Sequence, residues 1–83
     1  MELKALNTEY ELLEFNYHID NSYDKPISIL ELLIKTDEID LVRADLTNLF
    51  IIETDTYVYV FDGFEIQECY MVGDKLLQAV CVK

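Results

Sequence analysis

Tryptophan is absent from this chain, and proline, histidine, cysteine and glycine are scarce: one Pro, one His, two Cys and two Gly among 83 residues. Each shortage excludes something. Gly63 and Gly73 stand alone between apolar segments, so no cluster of glycines cradles a phosphate. The single proline and the rarity of serine leave no flexible linker or low-complexity segment, and there is no internal repeat. Two cysteines are too few for a disulfide framework and fit reduced thiols. With His18 as the only histidine, a zinc site built from Cys and His lacks ligands. Basic side chains are also short, 6 Lys and Arg against 17 Asp and Glu, and the net charge of −11 repels nucleic-acid phosphates and anionic membrane surfaces. No apolar run approaches the roughly 18 residues of a membrane span. The start, Met1-Glu2-Leu3-Lys4-Ala5-Leu6, lacks the basic region and apolar stretch of a signal peptide. These absences imply a cytoplasmic protein without cofactor or metal, with no direct contact to nucleic acid or membrane.

What is present is hydrophobic material. At 52% hydrophobic and 12% aromatic, the chain is too apolar to stay disordered despite its charge. Its length allows one small acidic domain over residues 1–83. The acidity reads either as a solvated coat or as a mimic of a phosphate backbone aimed at a basic protein groove.

Taken in order, Met1 to Leu6 alternates weakly and Asn7-Thr8 reads as a turn. Between Glu9 and Ile19, Tyr10 and Leu12 share one parity and Leu13, Phe15, Tyr17 and Ile19 the other; a strand with a bulge at Leu12-Leu13 keeps both sets inward. Asp20 to Pro26 is a polar loop. Ile27 to Lys35 has capping-box spacing at Ser28 and Glu31 but is short, almost continuously apolar and β-branched, which favours a buried strand. Thr36 or Asp37 then caps a helix over about 37–48, with Asp37, Glu38 and Asp40 in its first turn and Ile39, Val42, Leu46 and Leu49 on one face.

The stretch from Leu49 to Lys83 organises the rest. Phe50 to Thr54 and Tyr57 to Phe61 flank Asp55-Thr56; Asp62-Gly63 is a turn; Phe64 to Met71 and Lys75 to Val82 flank Val72-Gly73-Asp74. The expected class is α+β, a mostly antiparallel sheet of six or seven short strands with the helix between the third and fourth. Pairing Met71 with Leu76 sets Cys69 opposite Gln78 and Cys81 opposite Ile66, which keeps the thiols apart. In that register neither face of the last hairpin is plainly polar. An apolar surplus of this kind requires either a curled sheet or a second chain.

Chemistry-bearing constellations are few. His18 lies in an alternating strand, and neither cysteine is placed beside a cation or a helix start that would activate it. The Asp20-Asn21-Ser22-Asp24 region lacks calcium-loop spacing. No catalytic residue is assigned. The candidate partner-binding residues are the tyrosines Tyr57, Tyr59 and Tyr70, suited to a half-wet interface, and the acidic Asp37, Glu38 and Asp40, suited to a Lys/Arg-lined groove.

Val58-Tyr59-Val60-Phe61-Asp62-Gly63-Phe64, running through a strand and glycine turn into Leu77-Gln78-Ala79-Val80-Cys81-Val82-Lys83, resembles small tail-associated proteins of phages and prophages of Gram-positive bacteria. In those proteins a helix, a hairpin and a Phe/Tyr-x-Gly-Tyr/Phe step into the last hairpin recur, and Asp37 to Leu49 looks like the helix. The resemblance covers the C-terminal half and brings no catalytic residue. It implies a non-enzymatic structural or interaction protein of a host-cell cytoplasm or a virion, with a protein partner or a homo-oligomer. The acidity and the two cysteines depart from the pattern. They leave the alternative of an acidic nucleic-acid mimic that inhibits a basic host protein such as a defence nuclease.

Overall fold

Period-two alternation runs through most of the chain, and the computed structural model, which describes residues 1–83, turns it into seven strands and one helix. In chain order these are β1 (Glu2–Lys4), β2 (Glu9–Asp20), β3 (Ile27–Lys35), α1 (Ile39–Leu46), β4 (Phe50–Glu53), β5 (Val58–Phe61), β6 (Glu65–Gly73) and β7 (Leu76–Val82). All strands join one antiparallel sheet in the order β5-β4-β1-β2-β3-β7-β6. With 58% strand and 10% helix the class is α+β, as the alternation predicts, and the helix lies between the third and fourth strands.

The sheet cannot be flat. Its two outermost strands, β5 and β6, are consecutive in sequence and joined only by Asp62, Gly63 and Phe64. Six inter-strand gaps of about 4.8 Å would separate the edges of a flat sheet by about 29 Å. The connection from Phe61 to Glu65 reaches at most about 14 Å. The sheet therefore curls toward an open barrel whose seam lies between β5 and β6. Gly63, at φ +77°, makes the tight step that starts β6.

Curling gives the sheet a concave face and a convex one. The concave face holds Leu3, Tyr10, Leu12, Leu30, Leu32, Ile34, Phe50, Ile52, Phe61, Phe64, Cys69, Leu77, Ala79 and Cys81, all buried. Convex rows such as His18-Ile29-Val82-Glu65 and Asn16-Glu31-Val80-Glu68 mix polar and aliphatic residues. Bulges produce this sorting. One sits between Leu12 and Glu14, where the parity switch in the sequence placed it. Two more interrupt β6, between Ile66 and Glu68 and between Met71 and Gly73.

These bulges correct the register expected for the last hairpin. Met71 pairs with Leu77 rather than Leu76, and Cys69 with Ala79 rather than Gln78, while Cys81 does face Ile66. The extra residue at Gln67 lets Ile66 and Cys69 both point inward and sends Glu65, Glu68 and Tyr70 outward. The concave core thus takes up part of the apolar surplus expected of an unbulged hairpin, while Tyr70, Met71 and Val72 of β6 stay exposed. The thiols, expected to lie apart, share that face as diagonal neighbours, both free and buried. Burial raises both pKa values, that of Cys81 to about 12.

The helix is shorter than the expected span over about 37–48. Thr36 Oγ1 accepts the Glu38 N–H, which delays the helix to Ile39, and Thr47 Oγ1 and Asn48 Nδ2 both donate to the Ala44 carbonyl, which ends it. α1 packs on β6 and lowers Val42 and Leu46 into the core. Two polar ties hold it across the concavity. Tyr10 on β2 donates its hydroxyl to Asp45, and Arg43 Nη2 donates to the Cys69 carbonyl of β6 at 3.0 Å.

Candidate functional site

The two edges of the sheet are treated differently. An unpaired strand edge invites pairing with another chain, and charges, prolines, bulges or a covering element normally discourage it. β6 has two bulges, and Arg43 occupies one of its carbonyls. β5, Val58-Tyr59-Val60-Phe61, has no bulge, charge or proline.

Its geometry follows from the turn before it. Thr54 N–H donates to the Tyr57 carbonyl at 2.9 Å, and Thr54 Oγ1 accepts the N–H groups of Thr56 and Tyr57 at 3.2 and 2.9 Å. Antiparallel pairs alternate between hydrogen-bonded and non-bonded. From the Thr54–Tyr57 pair onward, Tyr59 and Phe61 therefore spend their backbone groups on Ile52 and Phe50 of β4. Those of Val58 and Val60 point out of the sheet. The flanking side chains are open as well: Tyr57, Val58 and Val60 are 62%, 61% and 62% exposed, and Tyr59 is 38% exposed.

Beside this edge lies a groove of about 670 Å³. The inward side chains of β5 cross it to meet β2, with Tyr59 5.4 Å from Phe15 and Phe61 6.0 Å from Tyr17 between ring centroids. Phe64 closes one end, edge-on to Phe61 at 5.7 Å. Polar groups are few there. Tyr17 donates to Ser28 Oγ at 3.2 Å, and Lys83 Nζ donates to the Asp62 carbonyl at 2.8 Å while lying 5.7 Å from the Phe64 ring centroid. Both lysine contacts leave its amine at the rim.

The candidate residues named from sequence separate into three places. Tyr57 and Tyr59 lie together on the β5 edge, their rings 5.9 Å apart. Tyr70 is on the convex face of β6, opposite Gln78, away from them. Asp37, Glu38 and Asp40 are exposed at the start of α1, whereas Asp45 is engaged by Tyr10. His18 is exposed on the convex face and the cysteines are buried on the concave one, so no His–Cys pair forms. No three His, Cys, Asp or Glu side chains gather as a metal site, and no buried side-chain nitrogen or oxygen lacks a hydrogen-bond partner. No helix is long and apolar enough to cross a membrane.

Sequence reasoning missed the valines of β5 as edge residues, and missed Phe15, Tyr17 and Phe64 as the groove. The signal for the edge was present, since Thr56 to Phe61 is uncharged and alternates aromatic with valine. The groove had none, because its walls are distant in sequence and meet through the curl. Comparison of the chain with protein-family models, with curated proteins and with solved structures finds no match in any of the three.

Proposed function

We propose that this protein is a non-enzymatic interaction module, of a phage or prophage structural kind, that associates with a protein through the free edge of β5 and the aromatic groove beside it. The observation that carries the reading is the unguarded edge. Val58 and Val60 direct backbone donors and acceptors outward in a strand without charge, next to a groove able to take apolar side chains. Strand addition uses this combination, with main-chain hydrogen bonds for affinity and alternate side chains for specificity.

The second reading, an acidic surface docking into a basic groove, rests on the exposed Asp37, Glu38 and Asp40. Salt separates the two. Peptides selected from a random library of strand-forming sequences, titrated by fluorescence anisotropy, should bind the wild type and lose binding to the double variant Val58→Lys/Val60→Lys. Their affinity should hold or rise with salt. Affinity that falls steeply with salt and is abolished by reversing the three acids favours the acidic reading. If no peptide binds at about 1 mM, where affinity is barely 4 kcal/mol, the edge is not an interaction site.

A further inference from the structure

The edge segment made of β5 and the residue before it reads almost identically in both directions. Tyr57-Val58-Tyr59-Val60-Phe61 alternates aromatic and valine about a central Tyr59. A two-fold axis normal to a sheet makes an antiparallel pair of identical strands in which residues of like parity face one another. Centred on Tyr59, such a pair sets Val58 against the second copy's Val60 and Tyr57 against its Phe61. Parity then keeps all valines on the convex side and all aromatics on the groove side. The outward backbone groups of Val58 and Val60 meet their counterparts as hydrogen-bonded pairs, and Tyr59 meets itself as the non-bonded pair between them.

We infer that a second copy of this chain adds to β5 about a two-fold axis through Tyr59, joining the two sheets edge to edge. This rests on the reading of β5 as the interaction edge and names its partner.

Net charge works against self-association, and this register keeps that cost small. Each copy carries a net charge of −11, so a partner surface bearing acids would be repelled. In this register Asp62 faces Thr56 and Asp55 faces Gly63, and no like charges stand directly opposite. Elsewhere on the surface, repulsion beyond about 8 Å is largely screened at physiological ionic strength. The other edge, interrupted by two bulges and covered at Cys69 by Arg43, does not offer a matching ladder. Association through β5 alone therefore stops at two copies. Short strands make a small interface, at the weak end of specific complexes.

The test is sedimentation equilibrium of the full chain up to on the order of 1 mM, in low and high salt, combined with cysteine cross-linking. The average mass should rise from monomer toward dimer and no further, and the dissociation constant should fall as salt rises. Val58→Lys/Val60→Lys should be monomeric throughout, since each lysine would oppose the other copy's lysine. Tyr59→Cys should form an intermolecular disulfide, because self-facing Cα atoms about 4.5 Å apart lie within disulfide reach. Val58→Cys, which faces residue 60, should cross-link at least about tenfold more slowly. Wild-type monomer at every concentration, growth past dimer, or equal cross-linking at 58 and 59 would each overturn the two-fold pairing. Peptide binding lost in the double-lysine variant, with wild type remaining monomeric, would leave the module reading standing and remove only the second copy as its partner.

Discussion

Replacing Tyr10 by Phe removes one oxygen and leaves the ring in its buried place, which isolates the tie between β2 and α1. A hydrogen bond to a charged group contributes about 1.5–3 kcal/mol when buried. Asp45 is half-buried and regains water once the hydroxyl is gone, so the loss falls at or just below the lower end of that range. The expected loss is about 1–1.5 kcal/mol, or a fall in Tm of several degrees for a domain of this size, where 1 kcal/mol moves it by about 4–8 °C. Alkaline pH gives a second readout. Burial, then the hydrogen bond and charge of Asp45, raise the Tyr10 pKa above its ordinary value of 10.0 in the folded state. A raised folded pKa means that the stabilisation is complete below pH 10 and is lost as pH climbs from there toward the folded value. Wild-type stability should thus fall more steeply above pH 10 than that of Tyr10→Phe, and the two curves should converge. Urea unfolding at a series of pH values measures both effects. Equal midpoints at pH 7 together with parallel curves above pH 10 would refute the tie.

Three further outcomes follow from the fold. Gly63→Ala should destabilise by about 1–2 kcal/mol through backbone strain alone, since an added Cβ meets only the flexible end of Lys83, Cε at 3.6 Å and Nζ at 3.7 Å, both ordinary contacts; a shift in urea midpoint at unchanged slope is the readout. Deleting Gln67 removes the bulge and turns either Ile66 or Cys69 outward, so it should cost more than about 3 kcal/mol by urea unfolding, whereas Gln67→Ala should change stability by less than about 0.5 kcal/mol. Both thiols should resist alkylation at pH 8 in the native protein and react quickly in denaturant, because burial lifts Cys69 and carries Cys81 to about 12; equal rates in the two conditions would contradict that burial.

Bulges explain where sequence reading succeeded and where it slipped. At Leu12-Leu13 two apolar residues of opposite parity stand side by side, and the switch is visible in the alternation itself. At Gln67 the bulged residue is polar and lies between Ile66 and Glu68, so parity alone does not reveal it. Only the demand that Cys69, Ala79 and Cys81 share a buried face exposes it. The candidate site divides in the same way. Tyr57 and Tyr59 were legible as half-wet aromatics. Tyr70 belongs with them by residue type but not by place, because the bulged β6 turns it to the convex face.

Sequence by itself determined the element types and their order, the single helix, the two-residue turn at Asp55-Thr56 and the polar loop before Pro26, because periodicity and turn chemistry are local. It also determined the uncharged, palindromic segment at residues 57–61, most of which is β5. Tertiary structure alone decided that this strand is an edge, that its neighbour in sequence lies at the opposite end of the sheet, and that Phe15 and Tyr17 come across to meet it. Those relations depend on how a seven-stranded sheet must curl for a short connection to span its edges, a constraint that acts on the whole chain at once and leaves no mark on any one segment.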